Sequence, residues 1–184
     1  MARNYDTVAF VYDRLARTVF GKAQVEAQLW LLKAVPAAAT ILIIGGGTGW
    51  ILEALTKLHR AGLAITYVDA SARMLAQSEK RAVGCNKVSF VLSAAEDVEL
   101  NNEYDVVLTP FFFDNIGQEG VSGICEKISN HLKPGGKWLY CDFENAGKLW
   151  QRILLWSMYR FFGLMCGITT RTLPDMTGCF SKTM

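Results

Sequence analysis

Gly45, Gly47 and Gly49 stand at alternate positions, and an acid, Asp69, follows 20 residues after the last of them. A turn free of Cβ atoms permits backbone angles and close approaches that other residues forbid. The N–H groups that open a following helix have no partner inside it, so they are free to meet a polar or anionic ligand. A carboxylate at the tip of the next strand can accept hydrogen bonds from both hydroxyls of a ribose. Together these residues describe a cradle for a nucleoside-type ligand. Their spacing excludes two familiar versions of it. A G-x-G-x-x-G fingerprint would put its third glycine at position 50, where Trp50 stands, and a P-loop would need a Lys and a Ser/Thr after its last glycine.

Positioning these residues takes a strand, a turn and a helix. Ile41 to Ile44 form a short β-branched apolar run, which predicts a buried parallel strand, and a helical pattern runs from Trp50 to about Arg60. Further strands are predicted at 64–69, 87–92, 104–110 and 138–143, with helices from Ser71 onward and from about Gly120 to His131. Alternating strands and helices predict a doubly wound, mostly parallel α/β sheet of about five strands, its ligand crevice at the carboxyl ends of strands one, two and four.

At 184 residues, with 51% hydrophobic content and a mean hydropathy of +0.19, the chain predicts one globular domain. It divides into an N-terminal helical part (1–36), a core (37–143) and an apolar helix with a short tail (144–184). A net charge of +2, evenly spread, gives no footprint for nucleic acid. The five cysteines are scattered, and no pair has metal or redox spacing. They are expected to be reduced thiols of an intracellular protein, with no metal site. The opening residues lack an apolar leader and no stretch reaches the length of a membrane span, so a cytoplasmic location is expected. His59 and His131 have no motif around them and are expected at the surface.

The strand followed by G-x-G-x-G resembles the first motif of the class I S-adenosylmethionine (SAM)-dependent methyltransferases. Tyr5-Asp-Thr-Val-Ala-Phe-Val-Tyr-Asp13 is similar to the opening of the small-molecule group related to ubiquinone and menaquinone biosynthesis, and Leu132-Lys-Pro-Gly-Gly136 before a strand is typical of the same enzymes. The resemblance implies SAM as cofactor, held by Gly45, Gly46, Gly47, Asp69 and Ala70. It makes Tyr12 a lid residue over the cofactor, against the plainer reading of an amphipathic helix packed on the sheet. Met74 would lie against the adenine or serve as a core methionine. At the turn after strand three the family usually has an acid that accepts from the adenine amino group. Ser93 and Ala94 stand there, leaving that contact to Ala94, Ala95, Glu96 or Asp97, and Thr109 ends strand four on the ligand side. A second departure is Ile43, where the family commonly has an acid.

The implied reaction is methyl transfer to a small, apolar-bodied acceptor, and no residue is identified as a general base. Phe111, Phe112 and Phe113 either line an acceptor cavity or pack beneath the following helix. A non-catalytic nucleotide-binding or scaffold protein, and a nicotinamide-dependent oxidoreductase, are the alternative readings. The region 146–166 is apolar on nearly every face and could cover substrate, lie on a membrane or form a dimer surface. The tail after it is too short for the antiparallel hairpin that usually completes this fold. Strand 138–143 is therefore expected at an open sheet edge, covered by helix 146–166 or by a second copy of the chain.

Overall fold

The computed structural model describes residues 22–143, 160 and 173–180. The proposed lid residue Tyr12 and, apart from Arg160, the apolar region 146–166 lie outside the described residues. The described chain builds a five-stranded sheet in the order β3-β2-β1-β4-β5, with every neighbouring pair parallel. No antiparallel strand follows β5 among the described residues. The strands are β1 (Thr40–Ile44), β2 (Ala61–Asp69), β3 (Cys85–Leu92), β4 (Tyr104–Pro110) and β5 (Leu132–Cys141). The helices are α1 (Ala23–Leu32), α2 (Trp50–Leu58), α3 (Ala72–Ser78), α4 (Gln118–His131) and a last turn, α5 (Thr177–Phe180).

Strand period 2 explains why β1 reads as a continuous apolar run. Ile41 and Ile43 face α2 through Ile51, Leu52 and Leu55, while Leu42 and Ile44 face α4 through Ile124 and Ile128. All four strand residues are at most 1% exposed, and each such side chain contributes roughly 1.5–3 kcal/mol on burial. Ile43 therefore belongs to the core rather than to the crevice.

The sequence places the tight turn Leu132–Lys137 before the last strand, whereas the structure absorbs it into β5. Tyr104 of β4 pairs with Leu132 and Val106 with Lys137, so Lys133 to Gly136 bulge out of the ladder, and Gly135 takes a positive φ of 75°. The strand consequently begins six residues earlier than its apolar run suggests.

Two expectations about side chains need correcting. Cys125 of α4 and Cys179 of α5 form a disulfide with Cα atoms 5.6 Å apart, so these two are not reduced thiols. The bond joins residues 54 apart, a pairing that local spacing cannot reveal. The docking is reinforced by Gln118, whose amide exchanges hydrogen bonds with the Asp175 backbone, and by buried Met176. Neither histidine is a free surface residue: the His59 ring meets the Val35 carbonyl at 3.1 Å. His131 bridges the carbonyls of Lys127 and Leu100 at 2.7 and 3.0 Å.

Candidate functional site

The site grows from the ends of β1 and β2. After Ile44 the chain turns through Gly45, Gly46 and Gly47 into the N-terminus of α2. Gly47 has φ +62°, and a Cβ built there would meet nothing within 4 Å. That position faces open space, as expected where a ligand passes close over the backbone. Gly46 has a different reason: a Cβ there would lie 2.4 Å from the Tyr67 hydroxyl.

Asp69 closes the carboxyl end of β2 and faces this turn. Its Oδ2 accepts from the Gly47 N–H at 2.9 Å and its Oδ1 from the Ser71 N–H at 2.9 Å. A carboxylate has about four acceptor sites, and these two bonds fix the orientation of the group at the mouth of the turn. Tyr67, two residues earlier on the same face of β2, donates its hydroxyl to the Gly47 carbonyl at 3.0 Å. Burial, and then the Asp69 charge, holds its phenol well above the usual tyrosine range, so it remains a donor. Arg81 ties the far side of the turn, donating Nε to the Thr48 carbonyl at 2.9 Å and pairing with Glu53 at 3.3 Å. Sequence reasoning missed Tyr67 and Arg81. Strand alternation back from Asp69 would have found Tyr67, whereas nothing local marks Arg81.

The other named residues fall into two groups. Ala70 is exposed beside Asp69, and Met74 is 3% exposed in the first turn of α3, whose N-cap Ser71 accepts from the Met74 N–H at 3.1 Å. Past β3, Ala94 is half-buried, Ala95 is buried and Glu96 is exposed. Lys127 of α4 donates Nζ to the carbonyls of Ala95, Glu96 and Val98 at 3.1, 2.6 and 2.9 Å. Thr109 is fully buried, and its hydroxyl accepts from Trp138 Nε1 at 2.9 Å, so its side chain serves the β4–β5 contact.

Beyond β4 the three phenylalanines divide. Phe113 is fully buried against Trp138 and Tyr140, whereas Phe111 and Phe112 are half-buried. The Phe112 ring lies over the glycine turn: a Cβ on Gly45 would fall 2.5 Å from its Cδ2. Phe111 takes φ +51°, an outlier for a bulky residue, and its ring packs on Phe143 with centroids 5.0 Å apart. Asp142, just past β5, accepts from the N–H of Asp114 at 3.1 Å and of Phe143 at 2.8 Å. Burial pushes its carboxyl up to about 6 despite these bonds. Asp142 was not singled out from the sequence.

The geometry therefore offers a glycine cradle with an oriented carboxylate on one side and an aromatic wall on the other. The open side of Gly47 and the oriented Asp69 carboxylate fit the sugar and chain of a nucleoside cofactor. The chain is also similar to known proteins. A demethylmenaquinone methyltransferase from Tropheryma whipplei is 26% identical over 143 residues, covering 77% of this chain and 58% of its own. A malonyl-[acyl-carrier protein] O-methyltransferase from Bacillus cytotoxicus is 31% identical over 144 residues, covering 78% of this chain and 47% of its own. Among solved structures, a DhpI–SAM–HEP complex shares the fold with a TM-score of 0.59 and 21% identity, over 71% of this chain and 58% of its own. The chain thus spans about half the length of the curated relatives it matches. A family model described as a methyltransferase domain matches residues 41–136, more than half of the chain, and the protein belongs to that family.

Proposed function

We propose that the protein binds SAM and transfers its methyl group to a small, apolar-bodied acceptor. The observation that carries this reading is the Asp69 carboxylate, oriented by Gly47 and Ser71 at the mouth of a turn whose Gly47 faces open space. Gly45, Gly46, Gly47, Asp69 and Ala70 would hold the cofactor, with Met74 and the Ala94–Glu96 turn toward its adenine and Tyr12 as its lid. SAM, when bound, supplies an already activated sulfonium methyl, so the protein's own part is positioning and exclusion of water. Phe111, Phe112 and Phe143 support an apolar acceptor, and we assign no general base.

Calorimetry with S-adenosylhomocysteine, SAM and NAD tests the reading. The first two should bind and NAD should not, which also separates the nicotinamide alternative. Asp69→Ala should weaken S-adenosylhomocysteine by roughly 1–3 kcal/mol through unpaired ribose donors. Unchanged affinity in a folded variant would place the crevice elsewhere.

One observation favours a non-catalytic binding or scaffold role. At the turn where the resembling family carries an acid, Ser93 and Ala94 stand instead, and the Ala95, Glu96 and Val98 carbonyls each already accept one bond from Lys127. Binding without transfer of labelled methyl to any cellular small molecule would support that role. The same preparation tests for a second copy: the proposed homodimer, through the 138–143 edge or region 146–166, rests on β5 pairing only with β4 among the described strands. Light scattering after chromatography decides it, and a monomer at high concentration rejects it. No nucleic-acid partner is proposed, given a net charge of only +2. No helix among the described residues is long and apolar enough to cross a membrane. A cytoplasmic location fits the intracellular supply of SAM, while the Cys125–Cys179 bond is typical of oxidising compartments. Thiol alkylation before lysis distinguishes the two.

A further inference from the structure

The aromatic wall is not held by apolar packing alone. Phe111 reverses the chain at the end of β4 with a positive φ, and its N–H donates to the Cys141 carbonyl at 2.8 Å. The short 3-10 turn Phe113–Asn115 follows. Asp142 ties an amide of this turn to the end of β5. One carboxylate oxygen takes the Asp114 N–H and the other takes the Phe143 N–H. The same turn carries Phe112, whose ring bounds the cradle at Gly45, while the Gly47 side stays open.

We propose that Asp142 is a positioning residue: its carboxylate locks the turn after β4 to the end of β5 and so keeps Phe112 against Gly45 as one wall of the cofactor crevice. The inference rests on the cofactor reading above and adds to it a residue that acts through Phe112. The requirement is for the ionised form. A carboxylate accepts strongly on both oxygens, whereas the neutral acid keeps only its carbonyl oxygen as a strong acceptor, so the bond to one of the two amides is largely lost. Loss of that bond frees the turn, and the strained Phe111 backbone gives it reason to relax.

Among the described residues, the titratable groups facing Asp142 are Asp114 on the 3-10 turn and Tyr140 and Cys141 on β5. Burial and the Asp142 charge push the Cys141 thiol up to about 12 and the Tyr140 phenol higher still, so neither titrates near neutrality. A carboxyl raised by burial to about 6 does, and the latch should open as pH falls through that value.

Two measurements on the full chain test this. In the ligand-free protein, NMR should show the Asp114 amide and the Phe112 ring shifting together, with a midpoint near the Asp142 value of about 6. Asp142→Asn should remove that transition and Asp114→Asn should keep it. By calorimetry, S-adenosylhomocysteine should bind roughly tenfold more weakly below the transition than above it. Asp142→Asn should bind at the weaker level throughout, and Phe112→Ala should show the same weak, pH-independent binding. A Phe112 ring that ignores pH, or an Asp142→Asn protein that binds as tightly as the parent above the transition, overturns the proposal. A parent that binds no S-adenosylhomocysteine at any pH overturns the cofactor reading instead, and the NMR titration still decides whether Asp142 holds the turn.

Discussion

The β4–β5 pair carries an aspartate at each end, and the two live in opposite regimes. At the amino end, Asp105 accepts from the Thr40 N–H and hydroxyl at 2.7 Å each and from Lys133 Nζ at 2.9 Å. Those bonds from Thr40, then the one from Lys133, hold its carboxyl down at about 2. At the carboxyl end, Asp142 is met among the described residues by amides rather than a cation, and burial raises it to about 6. The first ion is supported by its surroundings and fastens three strands. The second is costly to keep charged, and it sits beside the crevice. Stability and function are thus separated along the strands, as in open α/β sheets that bind ligands at the carboxyl ends of their strands.

The sharpest way to break this division is Gly47→Val. A side chain would enter the open space over the turn, and a β-branched residue at φ +62° is strained wherever it points. Binding of S-adenosylhomocysteine should be lost, and the ligand-free protein should melt lower by the equivalent of about 1–2 kcal/mol. Retained binding in a folded protein would remove the cradle from the carboxyl end altogether.

The Cys125–Cys179 bond belongs to neither aspartate cluster, since it fastens α5 to the buried face of α4. Replacing both cysteines by serine should cost about 2–4 kcal/mol in denaturant unfolding through the closed loop that the bond imposes. Cofactor affinity should stay at the parental value. A parallel loss of binding would show that the 173–180 segment supports the crevice.

These pairings also mark where the sequence ran out. The five parallel strands and the glycine turn were legible because each depends on a local period: β1 reads as Ile41 to Ile44, and Asp69 ends the next strand. What was not legible is carried by partners far apart in the chain. Asp142 meets Asp114 over 28 residues, and Lys127 reaches back 29 to 32 residues to the turn after β3. Thr109 shows a subtler limit. Its place at a strand end suggested the ligand side, but period 2 sets it on the same face as Val107, toward Trp138.

The two aspartates should also give stability slopes of opposite sign. Asp142 has a folded value raised above its unfolded one, so the native state binds the extra proton between about 4 and 6. Stability should fall as pH rises through that window, by roughly 2–3 kcal/mol, and Asp142→Asn should flatten the slope. Asp105 is depressed, so its contribution is complete above about 4 and is lost as pH falls toward 2. Urea midpoints across this range measure both. A slope between 4 and 6 that survives Asp142→Asn would assign it to another group.

The smallest effect is expected at the amino end. The Lys133 and Asp105 side chains are 36% and 35% exposed, so water and salt screen their 2.9 Å pair. Lys133→Ala removes the cation but leaves the two bonds from Thr40, which are the larger reason that Asp105 stays ionised. The loss should therefore be no more than about 1 kcal/mol, shrinking further at high salt. Asp105→Asn should cost more than Lys133→Ala, because an amide presents only one oxygen where Oδ1 and Oδ2 both accept. S-adenosylhomocysteine affinity should be unchanged in both variants, since this cluster lies a strand length away from Gly47 and Asp69. A variant here that weakened the cofactor while keeping its urea midpoint would show that the two ends of the β4–β5 pair are coupled, and the division between them would have to be abandoned.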